Sequence, residues 1–195
     1  MNLNIDFFHI VNESVAEKGR VLISEPFLRD NYFRRSVVYL TEHNEDGSLG
    51  FVLNKPVDIR IEDIVTDFEA PGFTVSVGGP VSNNTLHYIH TRGTLIPESI
   101  PVANGISWGG DFEVVKDLIQ RGEIRAHELR FFLGYSGWAA KQLDGELKDN
   151  AWLVGKLSSG LVMQSADPEF WSNTLAGYSN KYKAWANFPE DPGLN

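Results

Sequence analysis

Apolar residues in this chain come in short runs, some alternating with polar ones and some spaced three or four apart, each closed by glycine, proline or a polar cluster. Residues 20–25 form an apolar, β-branched run stopped by Pro26, which predicts a strand. Residues 35–42 and 49–54 flank the polar stretch 43–48, and the Asp46-Gly47 pair between them predicts a β-hairpin. Residues 74–77, 85–91 and 128–133 read as further strands, as do 151–155 and 160–164 about a Ser158-Ser159 turn. Residues 6–18 fit a helix ended by Gly19 or an irregular arm. Residues 58–68 read as a short helix before Pro71. Residues 112–120 read as an amphipathic helix with Asp111 as N-cap and Gly122 past its end. Another helix should open at Ser136, as its cap, and carry Trp138, Leu143 and Leu147. A last one starts at Asp167-Pro168 with Phe170, Trp171 and Leu175. Hairpin strands with interspersed helices, lacking regular βαβ alternation, point to the α+β class.

Size and charge narrow the picture. A chain of 195 residues supports one core, so residues 1–195 are expected to form one domain. It has no cysteine, which excludes disulfides, thiol catalysis and cysteine-ligated metals. No apolar run approaches the ~20 residues of a membrane helix, and the first ten residues lack a basic, cleavable leader pattern. A cytoplasmic location is expected. The formal charge is −9, and the arginines cluster with acids: Arg29, Arg34 and Arg35 with Asp30, and Arg121, Arg125 and Arg130 with Glu123 and Glu128. Duplex binding rests on cations that neutralise phosphates, so this balance argues against direct DNA binding.

Four motifs invite chemistry. Gly134-Tyr135-Ser136-Gly137-Trp138 follows a strand, as a hydrolase elbow does, but Trp138 stands where G-x-S-x-G needs its second glycine. Ser136 therefore reads as a helix cap. Gly78-Gly79-Pro80 follows a strand as phosphate loops do, yet Pro80 removes a donor and no lysine follows. His87 and His90 are three apart, which in a strand sends them to opposite faces, away from a shared metal. Gln142 and Glu146 stand one helical turn apart beyond Trp138, and Trp171 with Trp185 reads as core or as an interaction surface.

Several segments in fixed order resemble one family. They are residues 19–26 (GRVLISEP), 33–40 (FRRSVVYL), 50–56 (GFVLNKP), 78–81 (GGPV) and 133–138 (LGYSGW), followed by Gln142-Leu143, Glu146-Leu147 and Trp152. Over about residues 19–164 the chain resembles the AlgH/YqgE family of bacterial proteins, described as transcriptional regulators. The resemblance implies a coiled, partly barrel-like mixed β-sheet packed against several helices. It implies no catalytic residue and no cofactor. Residues 1–18 and those beyond about Asp167 look like a subgroup addition. The residues taken together suggest a non-catalytic binding or regulatory domain acting on a protein or small ligand. The expected contact surface gathers Asn54, Gly78, Gly79, Tyr135, Trp138 and Gln142, at strand ends where glycine, amide and aromatic groups meet. The rival readings are a hydrolase or transferase centred on Ser136 or Glu146, and a DNA-binding regulator.

Overall fold

Strand β8 (Leu129–Ala139) is the spine of the fold, because it is long enough to serve three partners. The structure, a computed structural model, describes residues 9–164 and 167–189. Strand β5 (Val81–His90) pairs antiparallel with the first half of β8, and β3 (Gly47–Val52) with its second half. The short β4 (Val75–Val77) lies parallel to its middle. Beyond β5 come β7 (Ile106–Trp108) and β6 (Ile100–Ala103); beyond β3 come β2 (Val37–Asn44), β1 (Val21–Ser24) and β9 (Trp152–Gly155). The sheet is coiled without closing. Gly19, just before β1, lies so near β6 that a Cβ there would stand 2.4 Å from that of Ala103. The expected α+β, partly barrel-like mixed sheet is what the chain forms.

Strands β1, β2, β3 and β9 are buried on both faces, and the period of two sorts their side chains. Val21, Ile23, Val37, Tyr39, Phe51, Leu53 and Leu153 face one core, together with α3 (Ser159–Met163), α4 (Phe170–Ala176) and α5 (Asn180–Ala186). Leu22, Val38, Leu40, Val52, Trp152 and Val154 face a second core, closed by Leu143 of α2 (Gln142–Lys148) and by Trp138. A third core joins Val115, Leu118 and Ile119 of α1 (Phe112–Gln120) to Tyr88 and Phe131. Asp111 caps α1 as expected, its carboxylate accepting from the amides of Glu113 and Val114.

The hairpin is present, with its two-residue turn at Glu45-Asp46, one position earlier than expected. Asn44 Oδ1 accepts from the Asp46 amide at 2.9 Å and sets that turn. Gly47 instead answers to β8: its φ is 140°, and a Cβ would lie 2.2 Å from the Trp138 carbonyl oxygen.

One open alternative is decided and four other expectations need correction. Residues 9–18 form an irregular arm without helix, and residues 6–8 lie outside the described residues. Residues 58–68 hold only a 3₁₀ turn at Ile61–Asp63. Their Ile and Val residues are β-branched, and Asp67 takes a left-handed φ of 57°. Ser136 caps no helix: β8 continues through it to Ala139, and α2 starts only after Lys141 turns the chain with φ 64°. Residues 160–163 belong to α3 rather than a strand, with Gln164 just past its end, because the Ser158 hydroxyl accepts from the Leu161 amide and starts a helix. The C-terminal region makes two helices, split at Gly177, that bury Trp171 and Trp185 completely enough to remove them from any surface. Strands β6 and β7, too short and interrupted to read from the pattern, were not expected. Among the described residues no helix is long and apolar enough to cross a membrane.

Candidate functional site

The expected contact residues fall into three places. Asn54 is buried beside β2, where its carboxamide accepts from the Val37 amide at 2.9 Å and donates to the Arg35 carbonyl at 2.8 Å. Gly78, Gly79 and Tyr135 do come together. A Cβ on Gly79 would lie 2.3 Å from the Tyr135 carbonyl oxygen, and one on Gly78 the same distance from that of Gly134. The glycines thus let the backbone entering β5 press against β8. Ser136, fully buried, donates its hydroxyl to the Gly78 carbonyl at 2.9 Å. Tyr135 stands edge-on to His87 and lines, with Asn44, Asp46, Val81 and Trp138, an open groove of about 480 Å³.

Trp138 and Gln142 belong to a different assembly, centred on Glu146. One carboxylate oxygen accepts from both indoles, Trp138 Nε1 at 2.8 Å and Trp152 Nε1 at 2.7 Å; the other accepts from Gln142 Nε2 at 3.1 Å. Gln142 Oε1 accepts from the Ala139 amide, which fastens α2 to the end of β8. The two indoles meet edge-to-face with Phe33 against both. Each polar side chain of the motif has a partner within the chain, with Gln142 exposed at its edge.

The histidines and the buried arginine are likewise internal. His90 Nδ1 accepts from the Arg92 amide, so Nε2 carries the proton it shares with the Gly109 carbonyl at 2.9 Å. Burial holds the pKa values of His87 and His90 below the ordinary imidazole value. The short serine–histidine contact, His43 Nδ1 to Ser48 Oγ at 2.7 Å, is a cross-strand pair in the hairpin with Ser48 buried. Arg130 donates to the Val162 carbonyl at 2.7 Å and the Leu53 carbonyl at 2.6 Å, closing the C-terminal end of α3; burial pulls its pKa down to about 10. Among the described residues no group of three histidines or carboxylates could hold a metal.

A cavity of about 750 Å³, between β9, the three C-terminal helices and the arm, is built differently. That volume is in the range of small-ligand sites. Leu153, Gly155, Phe170, Thr174, Tyr178 and Tyr182 line its interior, and Glu13, Lys156, Gln164 and Asn173 line it with side chains that bond to no other described residue. The Tyr178 hydroxyl accepts from the Lys156 amide at 3.3 Å and sits on Gly155, where a Cβ would lie 2.0 Å from it. Burial raises the Tyr178 pKa, with the Lys156 bond opposing. The arm closes one side: Tyr182 accepts from the Val11 amide, and Asn12 bonds to the backbone of β9. Sequence reading missed this site because its walls are some 140 residues or more apart, as the Ile10–Asn150 and Val11–Tyr182 bonds show. The legible signal was Gly155 closing an apolar strand with Tyr178 and Tyr182 one helical turn apart.

A family model described as AlgH-like matches residues 21–183. A UPF0301 protein of Bacteroides thetaiotaomicron is 41% identical over 197 residues, covering 100% of both chains. One of Chlorobaculum tepidum is 39% identical over 93% of this chain and 97% of its own. Among solved structures, the AlgH protein from Pseudomonas aeruginosa superposes with TM-score 0.69 at 26% identity, covering 92% of this chain and 99% of its own. The crystal structure of a Corynebacterium diphtheriae protein gives TM-score 0.74 at 21% identity over 96% and 100%, a likeness of fold. The match through residue 183 takes in α4 and the start of α5, so the region beyond Asp167 is no subgroup addition.

Proposed function

Since the chain belongs to the AlgH-like family, we propose that it is a binding domain without chemistry of its own, and that its ligand occupies the cavity beside β9. One observation carries this reading. The cavity combines an apolar interior with exposed polar side chains, Glu13, Lys156, Gln164 and Asn173, that bond to no other described residue. Such groups fix the orientation of a ligand where the interior supplies the affinity. The polar residues first expected to bind are instead consumed by the fold, at Asn54 and around Glu146. A regulatory role would then pass through the bound ligand, and not through duplex DNA, against which the charge of −9 argues.

A fragment screen read by ¹H–¹⁵N NMR on the full chain tests the site. Binders should shift the amides of Lys156, Tyr178 and Tyr182, and Asn173→Trp should abolish those shifts. Fragments that map only to the groove at Tyr135 would move the site there. Fluorescence anisotropy with duplex DNA near 0.15 M salt should give no submicromolar binding.

A further inference from the structure

We infer that the natural occupant of this cavity is an extended peptide segment that adds to the outer edge of β9, and that the N-terminal arm competes for that edge. This rests on the cavity being a binding site and goes beyond it by naming the class of ligand.

Strand β9 pairs with β1 along one edge, and no other described strand pairs with it. An uncovered edge presents main-chain donors and acceptors that favour another strand. Here each such group with a partner is met by a side chain. Asn12 Nδ2 donates to the Trp152 carbonyl at 3.1 Å, Asn12 Oδ1 accepts from the Val154 amide at 2.7 Å, and the Tyr178 hydroxyl accepts from the Lys156 amide. A carbonyl and the N–H two residues beyond it are the pair that one residue of a parallel strand engages. The Asn12 carboxamide is a peptide group in miniature, so it makes the contacts of a strand without being one.

The cavity runs beside that edge. Leu153, Val154, Gly155 and Lys156 line it in succession, a length of about 13 Å. Phe170, Tyr178 and Tyr182 supply apolar surface for side chains from alternate positions of an added strand. The arm meets the edge itself through one side chain, Asn12, and is tied down elsewhere by bonds of His9, Ile10 and Val11 to Lys181, Asn150 and Tyr182. It has no secondary structure, and Val11 and Val15 are 60% and 74% exposed, leaving Ile10 as its buried anchor. Glu13 and Asp167 outnumber Lys156 among the charged lining residues and the overall charge is −9, which together favour a segment without net negative charge.

The test is selection of a random dodecamer display library on the full chain, followed by titration of the most enriched sequence as a synthetic peptide. Enriched sequences should carry apolar residues two apart, and the synthetic peptide should shift the Val154 and Lys156 amides. N-methylation of its central backbone should weaken it about tenfold, and Asn12→Ala should tighten it about fivefold, each near the worth of a hydrogen bond. Should Asn12→Ala fail to fold, Asn150→Gly releases Ile10 instead, at a residue whose φ of 60° suits glycine, and should tighten binding in the same direction. No enrichment, enriched peptides that leave Val154 unshifted, or weaker binding in Asn12→Ala would each overturn the inference. Small fragments that bind the cavity while no peptide is enriched would sink the peptide and keep the site; failure of both would sink both.

Discussion

Two polar regions meet at Trp152 and behave in opposite ways. On one side its indole joins Trp138 and Gln142 on the Glu146 carboxylate, where four residues satisfy one another. On the other side its carbonyl takes a single bond from the arm, at the border of a cavity whose Glu13, Lys156, Gln164 and Asn173 ends bond to nothing else described. The first region has the richer sequence motif, the second the polar ends left unbonded among the described residues. Aromatic and amide residues in regular spacing report that polar groups are buried together; they do not report whether any bonding capacity is left over. A ligand needs the remainder.

The sharpest way to break this comparison lies at Ser136. As a buried strand residue bonded to the Gly78 carbonyl, it should cost about 1 kcal/mol when changed to Ala and about 4 kcal/mol or more when changed to Asp, which would bury an unpaired charge. A helix cap would tolerate Asp better than Ala, so the ranking in urea unfolding decides between them. Next comes Glu146→Ala, which strands two indole N–H groups in the core and should cost about 3 kcal/mol, whereas Glu146→Gln keeps an acceptor and should cost about 1 kcal/mol. A loss below 1 kcal/mol for the Ala variant would deny that the carboxylate organises this region.

Tyr39 offers a third test, by pH. It is buried with no partner for its hydroxyl among the described residues, and burial pushes its pKa up to about 12. The folded chain then keeps a proton that the unfolded chain loses near pH 10, so this contribution is intact below pH 10 and falls away between about pH 10 and 12, by roughly 2 kcal/mol. Tyr39→Phe should remove this share of the alkaline limb, with the raised Tyr88 and Tyr178 keeping theirs, and leave stability at pH 7 unchanged or higher. The smallest effect belongs to the cavity: Gln164→Ala and Asn173→Ala should alter stability by less than about 0.5 kcal/mol while weakening fragment binding. A larger loss would make those side chains part of the fold and the two regions alike.

The fold was legible where local chemistry decides. The hairpin, the Asp111 cap of α1 and the strands β1, β4 and β9 follow from β-branched runs and turn residues within a few positions. It was not legible where distant backbone decides. Ser136 sits in the same strand–serine–aromatic context as a cap, and distant backbone keeps it in β8: its pairing with Gly50 of β3 and its bond to the Gly78 carbonyl, 58 residues away. The Ser158-Ser159 pair suits a turn between strands as well as a helix start, and the choice goes to the helix once Arg130 meets the carbonyl of Val162 at its far end. The expected contact surface is dispersed by the fold: Gly78, Gly79 and Tyr135 come together, while Asn54, Trp138 and Gln142 are bonded elsewhere within the chain.

The bond from the Tyr182 hydroxyl to Val11 also fixes an order of events in time. Its partners are 171 residues apart, so the wall that they share cannot exist on a chain still emerging from the ribosome until α5 has been made. The hairpin can pair within microseconds of its synthesis, since its strands are joined by two residues, whereas the arm must wait beside an edge strand that is itself made late. Contacts of such long sequence separation carry a high loop-closure cost and slow the last stage of folding. Until that stage ends, the β9 edge is open to the nearest extended segment of any chain, and the arm, tethered to the same molecule, reaches it first.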